Sequence, residues 1–209
     1  MIHEFWTFVT DLVLALVAWS FAWRLAHRAR NAYSASIKFW ILAFVTIGLA
    51  AIQGALLHGF RHSLPPLVIS GLRVGVVWSL NATAYVLAMA LLSFGVPRSS
   101  TLYGRIQALL SLKFVFFLIL AAIKPVFIIA IIDYSLSFIV AIAVHTKKIR
   151  HPASPWILAG VVVSITAALI QSLQISFSTS FNHNDLYHVV QIVGLSLFYV
   201  GCLRISDAS

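Results

Sequence analysis

Seven long apolar runs constrain the fold of this chain more than any other feature of its sequence. Crossing the hydrocarbon of a bilayer takes about 20 mostly apolar residues, and runs of that kind lie near 5–25, 37–59, 66–94, 106–123, 125–145, 155–177 and 185–204. Charged residues make up only 9% of the 209 residues, far below the usual content of a soluble domain. The sequence therefore predicts an integral, multi-pass membrane protein.

The runs lack the strict alternation of apolar and polar residues that is typical of a membrane β-barrel. Because a helix satisfies its own backbone hydrogen bonds in lipid, we predict an all-α bundle of seven transmembrane helices in a single domain, 1–209. Only Lys124 and Pro125 separate the fourth and fifth runs, so six helices is the alternative. The first run has no basic segment before it and is expected to remain as a helix rather than to be a cleaved signal peptide.

The net charge of +9 is carried mainly by short loops between the runs. Arg28, Arg105, Lys147 and Arg204 are examples, and all lie at the ends that alternate helices place on one side of a membrane. Cytoplasmic loops are enriched in lysine and arginine. This pattern predicts a cytoplasmic carboxyl terminus and an outer amino terminus, and it explains the basic charge without a nucleic-acid partner.

An internal repeat is suggested by polar landmarks that recur in the same order in both halves of the chain. Each half has an aspartate, an apolar helix, a basic loop, a Trp-Ile-Leu-Ala segment or close variant, and a later glutamine. The paired landmarks are Asp11 with Asp133, Trp40 with Trp156, and Gln53 with Gln171. We predict parallel three-helix repeats, 5–94 and 125–204, joined by the helix at 106–123.

Two acids, Asp11 and Asp133, fall inside apolar runs near the predicted outer surface. A carboxylate within the membrane is costly, and its presence indicates a functional site by default. The structural alternative is that each acid caps a helix or pairs with a buried hydroxyl or with Arg73. We place both acids and Arg73 in a candidate pocket.

Histidines and an acid cluster at the predicted outer ends of the second and seventh helices. His58 and His62 are four residues apart, and Asp185 and His188 are three apart, so each pair shares a helix face. A cation bound by His58 and His188, with His62, His183 or Asp185 completing the set, fits zinc chemistry. The alternative is that His58 and His188 form hydrogen bonds inside the bundle while His62 and His183 are solvated.

These stretches resemble motifs of the seven-transmembrane superfamily that includes alkaline ceramidases, progestin and adiponectin receptors, and Per1-like proteins. "GALLHGFRHS", residues 54–63, resembles the second-helix motif of that superfamily, with His58 as a metal ligand. "LYHVVQIVGLSLFY", residues 186–199, resembles its seventh-helix motif, with Tyr187 as the aromatic residue and His188 as a ligand. The resemblance implies a seven-helix fold with a zinc site on the amino-terminal side of the membrane.

The sequence departs from the superfamily pattern at several positions. Asn184 stands where the pattern has the first ligand of the seventh helix, although His183 and Asp185 flank it, and Gly54 stands where it has a serine. The third run contains no acid to match the aspartate that holds the zinc-bound water. Asp185 is the candidate for a replacement ligand or catalytic base.

The resemblance implies hydrolysis of a membrane lipid, at an amide or ester bond, by a zinc-bound water. One alternative is a receptor-like member that binds a lipid or small ligand without turnover, in a pocket that includes Asn184 and Tyr187. A second alternative is a small-solute transporter built from the three-helix repeats, although its site should then lie near the middle of the membrane. A retinal protein is not expected, because the seventh run has no lysine.

Overall fold

A computed structural model describes residues 3–28, 34–178 and 181–207 of the chain, and within these ranges it contains seven α-helices and no β-strand. The helices are α1 Phe5–Arg28, α2 Ala35–Phe60, α3 Pro66–Gly95, α4 Thr101–Ile123, α5 Phe127–Lys147, α6 Ser154–Ser172 and α7 His183–Asp207. All seven are long and apolar enough to cross a membrane. The predicted all-α, seven-helix class is confirmed, and α4 and α5 are separate helices.

Two helix boundaries differ from the sequence prediction more than the others do. Helix α4 begins at Thr101 rather than near 106, because the Ser100 hydroxyl caps it by accepting a hydrogen bond of 3.2 Å from the Leu102 amide. Helix α6 ends at Ser172 rather than near 177. Gln174 has a φ of 53°, in the left-handed region that an α-helix cannot continue through. The apolar residues that follow Ser172 therefore lie in the connection between α6 and α7 and not in the helix.

Six of the helices form a closed ring, in which each packs against its neighbours in the order α1, α2, α3, α5, α6, α7 and back to α1. Among the described helices, α4 packs only on α3 and α5 and lies outside the ring. The largest apolar cluster fills the interior, where the bulky members Leu25, Phe44, Leu91, Ile157 and Phe198 are buried. The ring therefore supplies the protein's core, and α4 is peripheral to it.

Polar contacts hold the peripheral helix α4 in place. Lys113 of α4 forms an ion pair with Asp133 of α5, which is fully buried. The Asn81 amide of α3 donates a hydrogen bond of 3.0 Å to the Phe117 carbonyl of α4. Because lipid tails compete with apolar side chains for packing, hydrogen bonds and ion pairs contribute much of the attraction between membrane helices.

Helices α6 and α7 approach each other closely at small residues. A Cβ atom on Gly160 would lie 2.6 Å from ring carbons of Phe198, and one on Gly201 would lie 2.8 Å from Cγ1 of Ile157. Glycine at these positions gives the large side chains of the facing helix the space they need. This tight contact leaves α6 fixed to α7 along most of its length.

The positions of the two glutamine landmarks are equivalent in the two halves. Gln53 of α2 accepts a hydrogen bond from Ser79 of α3, and Gln171 of α6 donates one to Asn184 of α7. In each half, the glutamine of the second helix thus contacts the third helix. This arrangement is what a parallel repeat would produce, and the repeat itself stays a prediction.

We expect Gly160→Ala to lower the free energy of unfolding by about 1–3 kcal/mol, the usual cost of overpacking a filled contact. Gly71→Ala is the matched control, because a Cβ atom there meets no neighbour within 4 Å. That control should be neutral or slightly stabilising, since alanine is the better helix former. Equilibrium unfolding of both variants in detergent, followed by circular dichroism, measures the difference. Equal stabilities would contradict the close α6–α7 packing.

The predicted orientation can be tested with single cysteines at opposite ends of the bundle. Ser63 lies in the α2–α3 connection, Ser99 lies in the α3–α4 connection, and both are exposed, whereas the native Cys202 is buried. In intact cells, Ser63→Cys should react with a membrane-impermeant maleimide, and Ser99→Cys should react only after the cells are permeabilised. The reverse pattern would show that the amino terminus is cytoplasmic.

Candidate functional site

The beginning of α7 is joined to α1 by the fully buried Asp185. The Thr7 hydroxyl donates a hydrogen bond of 2.7 Å to Oδ1 of Asp185, and the backbone amide of Asn182 donates one of 2.7 Å to Oδ2. Asn182 immediately precedes the helix, so the second contact is the reciprocal half of a capping box. Both carboxylate oxygens are therefore engaged in contacts that begin α7 and attach it to α1. The predicted catalytic role of Asp185 stays a prediction.

Next to this contact, Asp11 and Thr10 of α1 flank the imidazole of His188. The Nε2 atom of His188 lies 3.2 Å from Oδ1 of Asp11, and its Nδ1 atom lies 3.0 Å from the Thr10 hydroxyl. Both Asp11 and His188 are buried, with 3% and 7% of their surface exposed. Both ring nitrogens of His188 are thus occupied by α1.

The Thr10 hydroxyl has two neighbours with which it can form hydrogen bonds. It lies 3.1 Å from the Thr7 carbonyl oxygen and 3.0 Å from Nδ1 of His188. It accepts from Nδ1 in the tautomer of His188 that carries a proton there, and it donates to Nδ1 in the other tautomer. The imidazole is also the polar neighbour of the buried Asp11 carboxyl, at 3.2 Å, and such pairing is typical of ionisable groups within a membrane.

The second predicted ligand, His58, pairs with a different acid, which immediately precedes α1. Its Nδ1 atom lies 2.7 Å from Oε2 of Glu4, and Arg61 approaches the same carboxylate at 3.6 Å. The backbone amide of Glu4 also donates a hydrogen bond to the His58 carbonyl. Helix α1 packs on both α2 and α7, and the two histidines pair with separate acids at its amino-terminal end.

The other two predicted ligands lie at the surface or close to it. His62 is exposed, packs against His3 with ring centroids 4.2 Å apart and ring planes tilted by 58°, and accepts a hydrogen bond from Arg61. His183 is the first residue of α7 and is partly buried. The described contacts of His62 are therefore with His3 and Arg61 and not with His188.

A zinc ion needs donors that this arrangement does not direct at one point. Zinc binds three or four ligands, each with an unshared electron pair, but both ring nitrogens of His188 contact α1 and one nitrogen of His58 contacts Glu4. Within residues 3–28, 34–178 and 181–207, no group of three or more His, Cys, Asp or Glu side chains is placed to bind one ion. As arranged, His58 and His188 do not fit a shared zinc ion, and zinc stays a prediction from the resemblance.

The two departures from the superfamily motifs have structural explanations here. A Cβ atom on Gly54 would lie 2.9 Å from Oδ2 of Asp11, so a serine at this position would displace the acid that pairs with His188. Asn184 accepts a hydrogen bond of 2.7 Å from Gln171 and thereby links α7 to α6. The missing serine and the missing ligand are thus replaced by contacts between helices.

Asp133 and Arg73 do not join this cluster in the part of the chain that the structure describes. Asp133 pairs with Lys113, and Arg73 is exposed on α3. Lys113 was not among the site residues predicted from the sequence. A lysine within an apolar run, like the aspartate at 133, nevertheless indicates a buried partner or a functional site. Its position in the fourth run would have suggested the pair.

A cavity of about 190 Å³ lies between α5, α6 and α7, in the half of the bundle that contains the amino terminus. One face of α5 provides Phe127, Tyr134 and Phe138, while Tyr187 and Gln191 line it from α7. None of the residues that line it is charged. Tyr187 was predicted from the sequence as a pocket residue, but Gln191 was not. A glutamine four residues after Tyr187 lies on the same helix face, so its position could have indicated that it lines the same pocket.

Gln191 is the principal polar residue of this cavity. Its side chain is buried, and its amide nitrogen donates a hydrogen bond of 3.2 Å to the Ser164 hydroxyl of α6. The amide oxygen remains as an acceptor at the cavity wall. His188 is adjacent to Tyr187 and its ring contacts the Tyr187 ring, but its nitrogens contact α1 and it is not among the described residues that line the cavity.

Comparison with protein families found a model that matches residues 6–207, described as a family of unknown function (DUF6962). Searches of curated proteins and of solved structures found no match. The resemblance to the ceramidase and adiponectin-receptor superfamily therefore stays a prediction. Because the family model spans nearly all of the sequence, the chain belongs to the DUF6962 family.

Proposed function

We propose that this protein binds a small molecule dissolved in the membrane, in the cavity between α5, α6 and α7. The cavity itself is the observation that carries the proposal, because a space of about 190 Å³ opens beside an interior that is largely packed with apolar side chains. Protein interiors are normally packed with few voids larger than a water molecule. A preformed space with one buried amide at its wall is typical of a ligand site.

The size of the cavity limits what it encloses. Sites for drug-sized ligands usually measure about 300–1,000 Å³, whereas this cavity measures about 190 Å³. It therefore takes either a compact molecule or one end of a longer one. A receptor-like or carrier protein with a lipid-soluble ligand fits this size better than a site that encloses a whole lipid.

The cavity lies beside the lipid-facing surface of α5 and α6. Its lining includes Ser135, Ile165 and Leu169, whose side chains are exposed at the outer surface of the bundle. At the opposite ends of these helices, the buried His145 lies 3.0 Å from the Ser154 hydroxyl, a contact that joins α5 to α6. The two helices are thus connected at one end and separated by the cavity near the other, which favours entry from the lipid.

This proposal differs from zinc-dependent lipid hydrolysis, which the sequence resemblance implies. The nitrogens of His188 contact Asp11 and Thr10 of α1, and His188 is not among the described residues that line the cavity, although its ring contacts that of Tyr187. Support for binding without turnover comes from this engagement of both nitrogens by α1. The cluster around Asp11, Asp185 and His188 then acts as the polar connection between α1 and α7.

Filling the cavity should abolish binding. We expect a photoactivatable dodecyl alcohol carrying a diazirine to label cavity residues of α5, α6 and α7 in the purified protein, reconstituted in phosphatidylcholine nanodiscs. Ala168 lines the cavity, and Ala168→Phe should eliminate that labelling because the phenyl ring occupies the space. Mass spectrometry of the cross-linked peptides measures the change.

The control variant is Ala122→Phe, which adds the same ring to an exposed position on α4. It should leave the cavity labelling unchanged, and labelling of lipid-facing residues should be equal in all samples. If Ala168→Phe does not fold, Ala130→Leu fills the same cavity from α5. Uniform labelling of the wild-type helices, without enrichment at the cavity, would refute the proposal.

The metal content of the protein separates binding from zinc hydrolysis. Because α1 occupies both ring nitrogens of His188, we expect no stoichiometric zinc after purification without chelators, as measured by elemental analysis. Zinc near one ion per chain in the wild type, lost in the His58→Ala, His188→Ala double variant, would instead support the hydrolase. A His62→Ala variant serves as the control, since its side chain is exposed.

A further inference from the structure

We infer that the part of the ligand enclosed by the α5–α6–α7 cavity is an uncharged aromatic group, of one ring or two fused rings, that carries one hydrogen-bonding group. Phenols and indoles are the simplest members of this class. The inference rests on the proposed function, because it assigns a chemical class to the ligand of the same cavity. It follows from the walls of the cavity, its size, its one buried amide and its lack of charge.

Four aromatic side chains form much of the cavity wall. Phe127 and Tyr187 meet edge to face, with ring centroids 5.7 Å apart at 84°, across the boundary between α5 and α7. Deeper along α5, Tyr134 and Phe138 are 5.8 Å apart and tilted by 54°. Aromatic rings attract one another most strongly in edge-to-face and offset arrangements. A further ring placed between these pairs gains contacts of this kind that a flexible alkyl chain does not provide.

The volume of the cavity agrees with one ring. An engineered apolar cavity of about 150 Å³ in another protein binds benzene, and the cavity here is slightly larger, at about 190 Å³. The additional space accommodates a small substituent or the second ring of an indole. Any alkyl substituent on the ring would extend between α5 and α6 into the lipid, past the exposed Ile165 and Leu169.

The polar group of the ligand is matched by Gln191. Its amide is held by Ser164 from α6 at 3.2 Å, which fixes its direction at the wall of the cavity. A buried polar group without a partner is unfavourable, so a ligand that forms a hydrogen bond with this amide is preferred over a hydrocarbon of equal size. The Tyr187 hydroxyl, on the same face of α7, is a second partner for such a group.

Charged ligands are disfavoured at this position. No lining residue is charged, and the nearby buried acids are already paired, Asp11 with His188 and Asp133 with Lys113. A carboxylate or ammonium group would lose its hydration without gaining a counter-ion. The site should therefore discriminate against benzoate and benzylammonium, although both contain the same ring as phenol.

A competition experiment tests the ligand class with the diazirine alcohol as the probe. Phenol and indole should suppress cavity labelling of the wild-type protein in nanodiscs, whereas benzoate and benzylammonium at the same concentration should not. Cyclohexanol has a similar size and the same hydroxyl group but lacks the aromatic ring, so it should compete more weakly than phenol. Labelling at lipid-facing residues reports any general effect of the competitors on the bilayer and should not change.

Two variants test the role of the amide. In Gln191→Leu, phenol should lose its advantage over toluene as a competitor, because no hydrogen bond distinguishes them. In the control Gln107→Leu, at an exposed position of α4, phenol should keep that advantage. If Gln191→Leu does not fold, the wild-type comparison of phenol with toluene decides whether the hydrogen bond matters.

The outcomes separate this inference from the proposed function. If the probe labels the cavity but cyclohexanol competes as well as phenol, or benzoate competes as well as either, the ligand class is wrong while binding in the cavity stands. If the probe does not label the cavity at all, the proposed function is wrong. Suppression by phenol and indole alone, dependent on Gln191, supports both.

Discussion

The pairing of buried carboxylates on α1 and α7 with polar partners is the interaction on which the ring of helices depends. Thr7 binds Asp185, and Asp11 and Thr10 bind His188. Contacts among these five polar side chains attach the last helix to the first. In lipid, apolar contact alone distinguishes poorly between neighbouring helices. Breaking a buried pair leaves an uncompensated polar group, so these contacts select one closure of the ring.

The closure of the ring also determines where space remains inside it. Helix α7 is held by α1 on one side and by the glycine contacts of α6 on the other. Helix α5 packs on α3 and α6, and it forms the ion pair between Asp133 and Lys113 with α4. The cavity lies between α5 and the α6–α7 pair. Two buried acids, Asp11 and Asp133, thus connect the helices on either side of the cavity to different neighbours, α7 to α1 and α5 to α4.

Much of the architecture could be predicted because it follows from local composition. Length, apolarity and the Lys124-Pro125 break predicted seven helices, and buried partners for Asp11 and Asp133 were one of two alternatives that the sequence left open beside a functional pocket. Their partners could not be predicted in the same way. Arg73 and Lys113 were both available in the sequence as cations for Asp133, and the choice depends on which helices are adjacent and which faces they present. The same applies to His58 and His188, because α1 packs on both of their helices and each histidine meets a separate acid, Glu4 just before α1 or Asp11 within it.

The sequence by itself determined that this chain forms a bundle of long apolar helices, because uninterrupted apolar runs have no other stable backbone arrangement in lipid. It also determined that polar chemistry concentrates near the amino-terminal side of the bundle, since the positions of Asp11, Asp133 and Asp185 along the helices fix their depth. Only the tertiary structure decided that two histidines resembling a shared metal site instead pair with separate acids, Glu4 just before α1 and Asp11 within it, and that the open space lies beside Tyr187 and Gln191 of α7. The physical reason is that spacing along a helix sets which face a side chain occupies, whereas its partner depends on which helix packs against that face.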